Sequence, residues 1–212
     1  MLLIGLEWRR CLIKKKEITS THLIEMSFEL FAEHGLEKVS LGMIAKKAEM
    51  TKSSIYYHFA TKEELISATF DHMFKEHQFS TYFQIHLATK DNYVEFLFQG
   101  GLNMLPKQDS NHRASLRVLN EFMTLAERDE QYRQRIMNIQ SDFINGFRQL
   151  VSLGAEWGIV PSDHVEDKAT LLALTIDQLS RCMMLKFELD YPSIWKEAVN
   201  SFLYLDKQTN SF

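Results

Sequence analysis

Apolar side chains recur at helical spacing along nearly the whole chain, and nowhere does an apolar-polar alternation persist long enough to make a strand. That periodicity constrains the fold more than any single motif. The chain's three prolines, Pro106, Pro161 and Pro192, each fall between two periodic segments, where a helix stops without losing an interior hydrogen bond. Asn145-Gly146, a pair that favours hairpin turns, lies inside a helix-periodic stretch. The predicted fold is all-α.

The helices can be placed from their caps. A first helix runs from Ser20 to His34, with Leu23, Ile24, Ser27, Leu30 and Phe31 on one face and Gly35 as a left-handed stop. Ser40 caps a short second helix that turns Leu41, Ile44, Ala45 and Ala48 inward and leaves Lys46 and Lys47 wet. Thr51 caps a third from Lys52 to about His58, and Thr61-Lys62-Glu63-Glu64 reads as a capping box opening a fourth. Further helices are expected over 92–105, 113–127, 130–156, 165–188 and 193–205. Phe79, Tyr82, Phe83, Ile85 and Leu87 fit helix or extended chain, and helix is favoured over 78–91 because an isolated strand has nothing to pair with.

At 212 residues, with 45% apolar and 25% charged, the chain is long enough to bury a full core and is neither disordered nor built on disulfides. Cys11 and Cys182 lie far apart without metal-ligand spacing, which fits a reducing compartment. No signal peptide or membrane span is legible, so a cytoplasmic protein is expected. The net charge of −4 conceals an asymmetry. Residues 38–62 carry Lys38, Lys46, Lys47, Lys52 and Lys62 against Glu49, whereas residues 65–212 are net acidic.

The basic stretch contains the motif that bears on function. Two helices joined by a tight turn within Ser40 to Phe59 have helix-turn-helix spacing. Ile55 and Phe59, at i and i+4, anchor the second helix. Thr51, Lys52, Ser53, Ser54, Tyr56, Tyr57 and His58 form its outward set, rich in donors for phosphate oxygens and base edges.

These residues resemble the TetR family of bacterial transcription regulators, through Leu23-Ile24, Leu30-Phe31, Gly35, Ile44-Ala45, Ala48, the run Thr51 to Phe59, Lys62 and Leu65. The resemblance covers about residues 20–66. It implies a flexible arm over 1–17, a helix-turn-helix DNA-binding domain over 18–77 with the motif at 40–59, and a helical effector-binding and dimerisation domain over 78–212. By resemblance, Ser40, Thr51, Tyr56, Tyr57, His58 and Lys62 clamp the DNA backbone, while Lys52, Ser53 and Ser54 approach bases. Two positions depart from the pattern. Glu49 stands in the turn where the family usually has Gly, and Gly42 lies inside the second helix; each costs on the order of 1 kcal/mol. The basic residues Arg9, Arg10, Lys14, Lys15 and Lys16 suit either a solvated leader or an arm reaching DNA.

Beyond the motif the chain is rich in Phe and Met, which suit a cavity for a hydrophobic or planar ligand as well as an ordinary core. The candidate lining residues are Phe70, Phe96, Met104, Phe122, Met123, Phe143, Phe147 and Met183. In the last two helices, Val165, Ala169, Leu172, Ile176, Leu179 and Met183 follow a 4-3-4-3-4 spacing, with Leu171, Leu174 and Cys182 on a second apolar side. The expected two-fold interface uses Leu172, Ile176, Leu179, Met183, Trp195, Val199 and Phe202. His72 and His77 are five positions apart, about 140° around a helix, and do not make a metal pair. No cofactor and no catalytic constellation is readable. The expected protein is a repressor that binds a pseudo-palindromic operator as a homodimer and is released by a small hydrophobic or aromatic ligand. The alternative is a helical interaction protein without ligand response.

Overall fold

The computed structural model describes residues 19–75, 77–106 and 110–203, the last range without the side chains of 110–113. The basic segment 9–16 lies outside them. All regular structure among the described residues is helical: α1 over 19–34, α2 Leu41–Lys47, α3 Lys52–His58, α4 Lys62–Phe74, α5 Phe79–Tyr82, α6 Tyr93–Met104, α7 Ser110–Ala126, α8 Glu130–Glu156, α9 Val165–Met184 and α10 Tyr191–Asn200. The helix expected over 78–91 is instead the four-residue α5 followed by a 3₁₀ turn, Ile85–Leu87. Its apolar residues answer to separate contacts, Phe79 and Phe83 being buried while Leu87 is exposed.

The chain divides into two compact units. The first comprises the described residues through Lys75 together with Ala114–Arg128, and the second comprises the described residues from 77 through Arg113 and from Asp129 onward. The N-terminal helices are thus joined by most of α7, a segment far away in sequence.

The first unit is built around Leu23, Phe31, Ile44, Ile55 and Leu65, with Val118 and Phe122 of α7 equally buried. Phe70 and Phe122 meet edge to face at 4.7 Å between centroids. Two buried hydroxyls among the described residues cost little, because Ser27 donates to the Leu23 carbonyl and Thr69 to that of Leu65.

The second unit has a dense aromatic core. Phe79 and Phe83 stack at 4.6 Å, and Phe147 meets each of them edge to face. The Tyr93 hydroxyl donates to the Leu150 carbonyl, and burial pushes its pKa well above the ordinary tyrosine value. Helical glycines make this packing possible. A Cβ on Gly100 would sit 2.0 Å from the Phe83 ring, and one on Gly146 would sit 2.1 Å from that of Phe79.

Candidate nucleic-acid interface

Three side-chain caps set the helix-turn-helix frame. The Ser40 hydroxyl accepts from Met43 N at 3.3 Å, Thr51 Oγ1 from Ser54 N at 3.1 Å, and Thr61 Oγ1 from Glu64 N at 3.1 Å. Each cap contributes about 1 kcal/mol to its helix. Thr51 Oγ1 also lies 2.9 Å from Ser54 Oγ, so these two hydroxyls form one capping unit at the start of α3. The capping box at α4 is shifted by one residue: Glu64 Oε2 accepts from Ala60 N at 2.6 Å.

The turn between α2 and α3 closes as a Schellman motif. Met50 N donates to the Ala45 carbonyl at 2.9 Å and Glu49 N to that of Lys46 at 3.3 Å. This geometry puts Glu49 at φ 55°, the left-handed region expected for that position. Glu49 is exposed and held there by the turn alone. Glu49→Gly is therefore expected to raise the unfolding free energy of the first unit by up to about 1 kcal/mol, read as a higher denaturation midpoint. An unchanged or lower midpoint would show that the flexibility of glycine in the unfolded chain outweighs the relieved strain.

Ile55 and Phe59 face the core, Ser54 and His58 are half-buried, and the rest of α3 points outward. Lys52 and Ser53 are exposed, and Tyr56 and Tyr57 are 55% and 70% exposed, a large area for aromatics at adjacent positions. His58 is half-buried and its Nδ1 lies 2.9 Å from Ser20 Oγ, which ties the end of α3 to the start of α1. Lys62 is less outward than its sequence position suggests. Its ammonium donates to the carbonyls of Leu36 at 2.7 Å and Glu37 at 3.2 Å, leaving one of its three protons for another acceptor. Lys47 pairs with Glu29 at 2.7 Å, whereas Lys38, Lys46 and Lys52 are exposed.

One residue that fixes this frame carried no sequence signal. Glu121 of α7 accepts from Leu36 N at 3.0 Å, just after Gly35 ends α1 at φ 83°. Read along the chain, it is one more polar residue in a Phe- and Met-rich helix. In the fold it and Lys62 satisfy the N–H and C=O of the same residue, Leu36, from two different helices.

The proposed lining residues are divided between the two units. Phe70 and Phe122 pack against each other in the first unit, to which Met123 also belongs, while Phe143 and Phe147 lie in the core of the second, which also holds Phe96, Met104 and Met183. A Phe- or Met-rich helix has the same periodicity whether its face lines a void or fills one. The second unit does contain an open pocket of about 370 Å³ over Phe79, Phe83 and Gly146, rimmed by Ser80, Gln84, His86, Asp142, Asn145 and Gln149.

Five of the seven expected interface residues are not at the surface of their unit. Leu172, Ile176, Leu179, Trp195 and Val199 are all buried in the core of their own unit, and Met183 and Phe202 pack against it. The stripe with the best helical spacing is the one that the chain uses internally. On the second apolar side of α9 Leu171 is 52% and Leu174 54% exposed while Cys182 packs against the core, and Leu185 and Ile194 are exposed as well.

A capped helix-turn-helix with a polar, tyrosine-bearing second helix has the architecture of a DNA-binding domain. Residues 23–69, the stretch that holds the helix-turn-helix, match the family model for bacterial regulatory proteins of the tetR family. Over 49 residues the chain is 41% identical to the HTH-type transcriptional regulator AcrR of Shigella flexneri, 23% of either chain. It is equally identical over 49 residues to an Escherichia coli K12 protein named as the probable acrEF/envCD operon repressor, 23% of this chain and 22% of that one. Each of these two matches spans less than a quarter of the relative's length. In fold the likeness extends further. A transcriptional regulator from Saccharomonospora viridis, solved in complex with choline, superposes with a TM-score of 0.76 at 16% identity, over 89% of this chain and all of that one. No described helix is long and apolar enough to cross a membrane.

Proposed function

We propose that the protein is a cytoplasmic repressor that binds a pseudo-palindromic operator as a homodimer and releases it when a small hydrophobic or aromatic molecule binds the second unit. The observation that carries the DNA-binding part is the outward face of α3, where Lys52, Ser53, Tyr56 and Tyr57 are exposed while Ile55 and Phe59 anchor the helix. Ser40, Thr51, Tyr56, Tyr57, His58 and Lys62 position the protein on phosphates, and Lys52, Ser53 and Ser54 approach base edges. One seven-residue helix covers few base pairs, so affinity comes from two copies on inverted half-sites. The exposed Leu171 and Leu174 supply an apolar face for the second copy. The repressor reading draws on the name of the Escherichia coli relative, and the ligand response on the choline-bound neighbour and the open pocket at Phe79 and Phe83.

Selection of bound duplexes from a random pool tests this reading. The expected product is a motif with inverted symmetry whose binding weakens steeply with salt. Tyr57→Phe should lower affinity for all duplexes alike, and Lys52→Ala should change the preferred bases. Selected sites without symmetry, or a flat salt response, would overturn the proposal. Compounds found to bind are then titrated with and without operator; linkage requires operator to weaken ligand binding by the factor that ligand weakens operator binding. Equal ligand affinities in the two titrations remove the ligand-release part.

A further inference from the structure

Gly42, which costs α2 helix propensity, lies directly beneath Lys52. A Cβ built on Gly42 would stand 2.9 Å from Lys52 Cε and 3.4 Å from its Nζ, with Ser40 Oγ at 3.6 Å. Carbon atoms do not approach so closely, so the lysine stem occupies the space that any other residue at position 42 would fill. Lys52 is the first residue of α3, and its stem reaches back across the first turn of α2. A lysine stem has four rotatable bonds and is by itself a poor instrument for reading a base, because its ammonium sweeps a wide volume. Seating the stem on a bare stretch of helix backbone removes much of that freedom. We propose that Gly42 is a specificity-determining positioning residue, which acts on base choice through Lys52 by giving its side chain a seat on α2. The inference rests on the proposed base-reading role of Lys52.

The opposing effects on stability and recognition make this testable. The clash at position 42 falls on the mobile end of a lysine, which can swing aside, and alanine is the better helix former. Gly42→Ala is therefore expected to keep or raise the melting temperature of the full-length protein. Duplex selection with the same variant should show about tenfold weaker discrimination at the base pair whose preference Lys52→Ala alters, a size typical of one side chain-base contact. In the Lys52→Ala background, adding Gly42→Ala should leave the motif and the affinity within twofold, because the seat then has no occupant.

If Lys52→Ala changes the motif and Gly42→Ala does not, the positioning role is overturned and the base-reading role of Lys52 stands. If Gly42→Ala weakens all duplexes equally in both backgrounds, Gly42 acts by letting α2 approach the DNA and not through Lys52, and the proposal is wrong. If Lys52→Ala itself leaves the motif unchanged, the underlying reading falls and this inference with it.

Discussion

Trp195→Ala is expected to destabilise the second unit by about 4 kcal/mol, within the range seen when a buried aromatic is truncated. Trp195 is fully buried in α10, its Nε1 donates to the Phe98 carbonyl at 3.0 Å, and its ring lies against Gly101 of α6 so closely that a Cβ there would be 2.1 Å away. Truncation leaves a cavity that rigid helix backbone cannot collapse to fill, and it removes the hydrogen bond to the Phe98 carbonyl. A fall in melting temperature of about 10 °C or more is expected for a unit of this size. The complementary change, Gly101→Ala, forces the same contact from the other side and should itself be destabilising. Combining it with Trp195→Leu should recover part of the loss, since the smaller side chain makes room for the added methyl. A Trp195→Ala protein that melts within 2 °C of the parent would show that this contact is not part of the unit's core.

The largest expected effect on function comes from the exposed side of α9. Replacing Leu171 and Leu174 by lysine should leave the monomer fold intact, because both residues are about half exposed and substitutions at such positions usually cost little. Lysine at 171 also gains Asp167 one turn earlier on the helix. In the proposed dimer, each charge would meet its own copy across the two-fold axis in an apolar setting. The expected result is a monomer by sedimentation and a loss of operator affinity of about 100-fold or more, since the second half-site no longer binds intramolecularly. The parallel variant Leu172→Ala should instead lower stability, because that residue is fully buried within the unit. An unchanged mass for the double lysine variant would place the dimer contact elsewhere or remove it.

Sequence reasoning reached the DNA-binding frame because the determinants there are local. Ser40, Thr51 and Thr61 cap the helix that each one precedes, Gly35 ends α1, and the strained φ at Glu49 follows from a Schellman turn six residues wide, Ala45 to Met50. All are interactions between neighbours in the chain, and periodicity then separates Ile55 from Tyr56 and Tyr57. The 27 residues of α8 were equally legible, with the expected span 130–156 matching Glu130–Glu156. The short segment 78–91 was not, because four to five apolar residues fit several conformations until their partners are known.

By itself, then, the sequence determined the helical class, the helix-turn-helix and the outward face of α3, since these depend on spacing and caps within a few residues. Only the tertiary structure decided which of the two apolar sides of α9 is internal, because Leu172 and Leu171 are equally hydrophobic and the choice belongs to the helices that cover them. It also decided that α7 joins the N-terminal unit, that Glu121 and Lys62 converge on Leu36, and that Lys52 lies over Gly42. The partners in these contacts stand 10 to 85 positions apart and leave no periodic trace, because a hydrogen bond or a close approach across the fold needs one residue at each end and imposes no pattern on the residues between.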